Sequence, residues 1–186
     1  MDLSSSYRAL VRKHFPHALI VADRFHVVRL VGHHMHVLWR RLDPHNSRHR
    51  GLVSLMRRRM DRLAQEQTRT LAAYFQEHPE IQALYDFKQQ LWDLLRHRGL
   101  NPHACRPLAQ ELLDRIDQLK ASAFEAMSTL GQTLDAWKDE IARMWRFSRN
   151  NGITEGFHNK MEMISRRAYG FRNFRNYRLR VRAMCG

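Results

Sequence analysis

Two acidic residues far apart in the chain, Asp2 and Glu155, each stand where a helix is expected to begin. Phosphodiester cleavage and strand transfer are commonly catalysed by two divalent metal ions. Several carboxylates, which can come from distant parts of a chain, bind these ions together. Mg²⁺ prefers carboxylate oxygens and keeps water ligands. Asp2 and Glu155 fit that need. The alternative is that each only caps a helix or faces its dipole.

A second candidate site is the sequence Asp-Arg-Phe-His, which places Asp23 and His26 three residues apart. In the first turn of a helix, residues at this spacing lie on one face. Asp23 could then orient the His26 ring and favour its protonated form. The alternative is an N-cap aspartate followed by a histidine at the edge of the core.

The segment SRRAYGFRNFRNYRLRVR interleaves arginines with aromatic rings near the end of the chain. Guanidinium groups bind phosphates, and rings can stack on bases or pack beneath the arginines. The pattern favours contact with DNA. A solvated amphipathic helix with buried rings is the alternative.

Composition also indicates a polyanionic partner. The 186 residues include 32 Lys+Arg and 18 Asp+Glu, which gives a net charge of +14. From Ser148 onward, nine basic residues face two acids, Glu155 and Glu162. Nucleic acid is favoured over a membrane surface. The two cysteines have no paired spacing, so neither a disulfide framework nor a zinc site is predicted, and the protein is expected to be cytosolic. No apolar run is long enough to span a bilayer.

The chain begins with a predicted helix–strand–helix unit. Ser4 or Ser5 caps a helix that buries Tyr7, Leu10 and Val11 and ends at Pro16. The short apolar run HALIVAD predicts a buried strand, and Asp23 caps a helix to about Leu42. One strand cannot make a sheet. Either the other strands are missing from this chain or the strand assignment is wrong.

The rest of the chain has helical periodicity almost throughout. Helices are predicted at about 47–60, 64–77, 79–97, 104–122, 123–147, 153–170 and 173–183.

The two ends of the chain resemble the ISL-three family of bacterial insertion-sequence DDE transposases. The first segment is MDLSSSYRALVRKHFPHALIVADRFHVVRLV, with the Asp-Arg-Phe-His signature. The second is NNGITEGFHNKMEMISRRAYGFRNFRNYRLRV. His158 and Glu162 depart from the Asn and Lys expected there. The resemblance implies an RNase H-like catalytic fold in which three acids bind two Mg²⁺ ions, cut transposon ends and join them to target DNA.

Aligned with that family, Glu155 matches the last acid and Asp2 the second. Asp23 and His26 match an accessory signature that shapes the active site. An alternative makes Asp2 and Asp23 the first two acids, but it leaves the sheet with one strand. The first alignment is preferred, and it implies that the chain lacks the first catalytic Asp, three opening strands and any N-terminal DNA-binding module. With two acids of three, the chain alone is expected to be inactive.

The predicted fold class is therefore mainly α, the C-terminal part of an RNase H-like α/β core with a large helical insertion and one strand. Residues 1–42 would be a core remnant, 43–147 the insertion, and 148–186 the last core helix with a basic tail. The expected cofactor is Mg²⁺ or Mn²⁺, bound by Asp2 and Glu155. DNA-backbone contacts are expected from Lys160, Arg166, Arg167, Arg172 and Arg175.

The predicted function is metal-dependent DNA cleavage and strand transfer in transposition, with DNA as transposon ends and target. A homo-oligomer is left open, and no membrane partner is expected. The expected location is the bacterial cytoplasm, with the nucleoid. The alternative function is a non-catalytic, basic, helical DNA-binding module derived from a transposase.

Overall fold

The computed structural model describes residues 1–147 and 152–185, without the side chains of 152–155, 157, 158 and 185. The described residues are mainly α-helical, as predicted, and fall into two compact units, Met1–Ser148 and Arg149–Gly186. The predicted three-part division of the chain stays a prediction. The α-helices are α1 (Ser5–His14), α2 (Arg24–Leu42), α3 (Arg50–Met56), α4 (Gln65–Glu77), α5 (Pro79–Arg96), α6 (Pro102–Lys120), α7 (Glu125–Ala136), α8 (Lys138–Phe147), α9 (Gly152–Arg167) and α10 (Phe174–Cys185).

Helix α2 is central to the first unit. Its buried residues recur every three or four positions, which is the spacing of one helical face. They are Val27, Val31, Met35, Leu38 and Trp39. This face packs against α5 and α7, and α6 covers α7 with a similar stripe. Each large apolar side chain removed from water in this way contributes about 1.5–3 kcal/mol.

A buried polar chain ties the far end of α2 to α4. Trp39 Nε1 donates to the Tyr74 hydroxyl at 2.9 Å, and that hydroxyl donates to Asp43 Oδ2 at 2.6 Å. Burial raises the pKa of Asp43, but hydrogen bonds from Tyr74 and Asn46 outweigh it and lower the pKa overall. The carboxylate therefore stays charged and ends α2 in a fixed position.

The predicted strand is not formed within the described residues. Residues 18–23 have no regular secondary structure, and their backbone hydrogen bonds include one from Ala22 N–H to the Glu140 carbonyl and two with the first residue of the chain. The Met1 amino group donates to the Val21 carbonyl at 2.7 Å, and Asp23 N–H donates to the Met1 carbonyl at 2.7 Å. This is the hydrogen-bond pattern of one rung of a parallel ladder. One rung is too little for a sheet, and the RNase H-like core stays a prediction.

The expected inner face of α1 is wrong for Tyr7 and Leu10, whereas Val11 is half-buried. Tyr7 and Leu10 are 60% and 55% exposed. The polar side of the helix faces the first unit instead, because Arg8 and Arg12 lie 3.7 and 3.3 Å from the carboxylate of Glu140. That carboxylate is only 3% exposed, and a buried charge is tolerated where it is paired. The ion pair therefore decides which side of α1 turns inward.

One long helix predicted at 123–147 is in fact two, α7 and α8, with a break at Trp137. Gly131 lets α7 lie close to the end of α6. A Cβ atom at this position would be 2.7 Å from the Lys120 backbone nitrogen. The Arg8 guanidinium covers the Trp137 ring at 4.1 Å from its centroid, so the break also contacts α1.

In the second unit, a left-handed turn separates α9 from α10. Gly170 has φ 92°, as the sequence predicted, and Tyr169 has φ 51°. Gly170 N–H donates to the Ser165 carbonyl and Tyr169 N–H to the Arg166 carbonyl, which together form a Schellman motif. A tyrosine in this conformation is uncommon and strained. The turn sets the direction of the arginine-rich α10.

None of the helices in the described residues is long and apolar enough to cross a membrane.

Candidate functional site

The backbone places Asp2 beside Asp23. The rung between Met1 and the 21–23 segment fixes the residue before Asp2. Ser4 N–H then donates to the Asp2 carbonyl at 2.7 Å, and the Ser4 side chain caps α1. Asp2 is thus held in a short turn between a paired residue and a helix start, and its side chain is 54% exposed.

Asp23 is the N-cap of α2, as predicted. Its Oδ1 atom accepts from Phe25 N–H at 2.9 Å. The neighbouring Arg24 anchors this end of the helix, because its guanidinium donates to the Leu95 carbonyl at 2.8 Å and the His97 carbonyl at 2.9 Å. Those carbonyls lie at the end of α5, where a cation is favourable. The cap uses Asp23 Oδ1, and Asp23 Oδ2 lies 3.5 Å from the His26 ring.

His26 meets both acids, as the three-residue spacing predicted for one of them. Its Nδ1 atom lies 3.1 Å from Asp2 Oδ1 and 3.5 Å from Asp23 Oδ2. These approaches lack hydrogen-bond geometry, so within the described residues the buried Nδ1 atom has no hydrogen-bond partner. The Phe25 ring stands edge-on to the imidazole at 5.5 Å. The ring is therefore held in place but its nitrogen is not satisfied.

The donor set of Asp2, Asp23 and His26 fits a divalent cation. One ligand atom from each lies within 4.8 Å of the others. Carboxylate oxygens suit Mg²⁺ and Mn²⁺, and an imidazole nitrogen suits transition metals better than Mg²⁺. The unsatisfied Nδ1 atom is a group that a cation, or a proton shared with the carboxylates, would complete. The exposed Asp2 carboxylate leaves room for water ligands.

Glu155 lies near the N-terminus of α9, as predicted, but its side chain lies outside the described residues. Asp2 and Glu155 belong to different compact units. The predicted metal pair formed by these two acids therefore stays a prediction.

The five predicted DNA-contacting side chains are all exposed. Arg166 is paired with Glu162 at 2.6 Å, an exposed pair one helical turn apart. Such pairs contribute little and exchange easily for a phosphate. In α10 and the turn before it, Phe171 lies 5.1 Å from Tyr177, whereas Tyr169 is fully exposed. Some rings therefore pack together, as the alternative expected, and Tyr169 is available for stacking.

Sequence reasoning did not single out Lys88, which is 4% exposed in the first unit. Burial lowers its pKa to about 7. The signal was present, since Lys88 continues the apolar stripe of α5 that includes Ile81, Tyr85, Leu91 and Leu95. A lysine at an inner position of such a stripe is expected to be buried with its apolar neighbours.

A carboxylate–histidine cluster in one unit and an arginine-rich helical unit after it are typical of proteins that act on DNA phosphates. The chain belongs to the ISL3 family of DDE transposases, because the sequence profile of that family, described as "Transposase", matches residues 1–181. The resemblance predicted from the two ends of the chain is thereby confirmed.

The chain is also similar to a transposase for insertion sequence element IS1001 from Bordetella parapertussis. The two sequences are 28% identical over 193 residues. The match covers 98% of this chain and 46% of the relative, so the chain spans about half the length of that protein. No solved structure matches the chain. Transposases act on DNA, and DDE transposases as a family use divalent metal ions.

Proposed function

We propose that the chain carries part of a metal-dependent site for DNA cleavage and strand transfer in the transposition of an insertion sequence. The observation that supports this most is the Asp2–Asp23–His26 cluster, in which two carboxylates and an imidazole lie at ligand spacing. The cofactor would be Mg²⁺ or Mn²⁺, since the set is rich in oxygen. When bound, the ion would activate the attacking oxygen or stabilise the leaving oxygen of a phosphodiester.

The residues of the cluster have different roles in this proposal. Asp2 is the metal ligand, because its carboxylate is the most exposed of the three groups. Asp23 is a positioning residue, because one of its oxygens already caps α2 and the other faces His26. His26 is a supporting residue, since its Nδ1 atom lies 3.1 Å from the Asp2 carboxylate. Glu155 is the second metal ligand, as the family alignment implies.

The basic second unit would hold the DNA backbone. Its exposed cations lie in α9, in the turn after it and in α10, and the exposed Tyr169 ring stands among them. Cations of this kind fix the position of a duplex without reading its sequence. They are Lys160, Arg166, Arg167, Arg172 and Arg175.

The ligand count predicts little or no turnover by the chain alone. Asp2 and Glu155 supply two acids, and a pair of metal ions needs more carboxylate ligands than that. The test is therefore made on a labelled duplex that carries the ends of the insertion sequence, with DNA affinity and nicking measured in Mg²⁺, Mn²⁺ and EDTA. We expect Mn²⁺ to raise DNA affinity, and Asp2→Asn and Glu155→Gln to remove that gain while metal-free binding stays unchanged.

A non-catalytic DNA-binding module is the second candidate, and the exposed basic side chains of the second unit favour it. The same assay separates the two. Binding that falls steeply with salt, responds to no divalent metal and yields no nicks would establish the module and overturn the enzyme. Nicking that Glu155→Gln abolishes without loss of binding would establish the enzyme.

A further inference from the structure

A cavity of about 700 Å³ lies in the first unit between α2 and α5, beside the end of α3. Its volume is in the range of small-molecule sites. One wall is formed by α2, where Gly32 leaves open space: a Cβ atom there would still be 3.8 Å from Trp92. The opposite wall carries Tyr85, Lys88 and Trp92 from α5. The cavity is therefore flanked by flat rings.

Lys88 places a nearly buried amine in the lining of this cavity. Its Nζ atom donates to the Met56 carbonyl and lies 4.3 and 4.6 Å from the centroids of the Tyr85 and Trp92 rings. Within the described residues no carboxylate pairs with it. A buried cation without an anion is costly, and a bound anion would offset that cost. Trp92 Nε1 is likewise a buried donor without an acceptor in the described residues.

The rim of the cavity is rich in basic residues. Arg29, His33, His36 and Arg57 line it, and no acid does. Burial first, and then the charges of Arg57, Arg40 and His33, lower the pKa of His36, so that ring is a neutral donor and acceptor at the rim. An anion entering the cavity would meet only favourable charge.

Two shallower recesses extend from this rim. One shares Arg57 with the cavity and is also lined by Arg48, Arg50 and Arg58. The other shares Arg57 and Trp92 with it and adds four arginines, Arg58, Arg59, Arg62 and Arg96. Guanidinium groups in such a row suit successive phosphates of a strand. The cavity thus adjoins two recesses lined by arginines.

We propose that this cavity binds a nucleoside phosphate, with the base against Trp92 and the phosphate between Lys88 and Arg57. An unpaired nucleotide of a DNA strand is the favoured source, because the arginine recesses continue the path for neighbouring phosphates. The acid cluster touches one lining residue of the cavity, since the Phe25 ring lies 5.5 Å from the His26 ring. The choice of DNA as the source of the nucleotide rests on the proposed function. The inference that the ligand is planar and anionic rests on the cavity alone.

The experiment uses the whole chain and two duplexes that differ at one position. One carries an unpaired 2-aminopurine nucleotide and the other an abasic nucleotide. Stacking of a base on an aromatic side chain supports a preference of about tenfold for the first duplex. We expect that preference, with quenched 2-aminopurine fluorescence, in the wild type and in Gly32→Ala, which leaves the cavity open.

Gly32→Leu places a side chain in the cavity against Trp92, and Lys88→Met removes the amine that meets the phosphate; both should abolish the preference. Circular dichroism of each variant checks that it is folded before its affinities are compared. A titration with free dAMP, followed by tryptophan fluorescence, distinguishes the source of the nucleotide. Saturable quenching by dAMP without a preference between the duplexes would assign a free nucleotide to the cavity.

Equal affinity for the two duplexes together with no response to dAMP would overturn the proposal. So would a preference that survives in both Gly32→Leu and Lys88→Met. Failure of the proposed DNA function gives a different result, because binding to both duplexes would then be absent at low salt, whatever the nucleotide.

Discussion

Replacing Lys88 by methionine should change how the stability of the first unit depends on pH. The folded state holds this amine at a pKa of about 7, against an ordinary value of 10.5. Between these values the unfolded chain binds a proton that the folded chain does not. The free energy of unfolding therefore rises with pH across this window, and the penalty is fully present below about pH 7.

The size of the effect follows from the shift in pKa. Each unit corresponds to about 1.36 kcal/mol, so the shift from 10.5 to about 7 sets a ceiling of about 5 kcal/mol. Between pH 7.5 and 9.5 the free energy of unfolding should rise by about 2.5 kcal/mol. This window avoids Tyr85, whose pKa burial raises to about 12, and the histidines His34 and His36, whose pKa values burial lowers below the ordinary 6.5.

Urea unfolding followed by tryptophan fluorescence measures this effect in the first unit alone. All four tryptophans, Trp39, Trp92, Trp137 and Trp145, lie there. Lys88→Met should be more stable than the wild type at pH 7.5 and should show a nearly flat dependence on pH.

Lys13→Met is the matched control, since Lys13 is an exposed lysine on α1. It should keep the slope of the wild type. A wild type with no rise between pH 7.5 and 9.5, or a slope that survives in Lys88→Met, would refute the reasoning.

Three further changes test the packing that positions the site. Gly131→Ala should destabilise the first unit by about 1–3 kcal/mol, because the added Cβ atom would lie 2.7 Å from the Lys120 backbone nitrogen. Gly32→Ala, whose added Cβ atom would lie at an ordinary contact distance of 3.8 Å from Trp92, should stabilise the unit by up to about 1 kcal/mol. Urea unfolding measures both changes. Tyr169→Gly should relieve about 1 kcal/mol of left-handed strain and slow amide exchange at the end of α9 about fivefold. Glu140→Gln should cost about 1–3 kcal/mol by weakening the ion pairs of α1, measured as a lower midpoint of urea unfolding.

Local signals predicted most of the helices. Asp23 as an N-cap and Pro79 in the first turn of α5 mark where helices begin, and these starts agree with the structure. The helix expected at 47–60 is shorter, at Arg50–Met56, after a 3₁₀ turn at Asn46–Arg48. The break at Trp137 was missed because no proline or glycine marks it, and its contact with Arg8 is made by a residue far away in the sequence.

The orientation of α1 could not be predicted from its own sequence. Its apolar residues Tyr7 and Leu10 suggested an inner face, but the deciding partner is Glu140, more than 120 residues away. A single buried carboxylate at that distance leaves no periodic signal. The same limit applies to residues 17–23, whose apolar run predicts a strand, while the pairing partners decide whether one forms.

Part of the geometry of the Asp2–Asp23–His26 cluster could be predicted from the sequence. Spacing alone placed Asp23 and His26 on one face, and their approach in the structure confirms that geometry. The approach of Asp2 to both depends on the pairing of Met1 with residues 21–23, which no local pattern encodes. The burial of Lys88 could have been predicted from the apolar stripe of α5. The cavity beside it could not, because Gly32 contributes to the cavity by lacking a side chain.

Electron paramagnetic resonance of Mn²⁺ bound to the whole chain tests the central claim most directly. The account predicts a bound-Mn²⁺ signal, and a loss of affinity of more than about tenfold in Asp2→Asn, Glu155→Gln and His26→Ala. Asp23→Asn keeps the N-cap of α2 and should weaken binding less than Asp2→Asn does. Absence of bound Mn²⁺, or equal affinity in the wild type and Asp2→Asn, would contradict the claim that this cluster is a metal site.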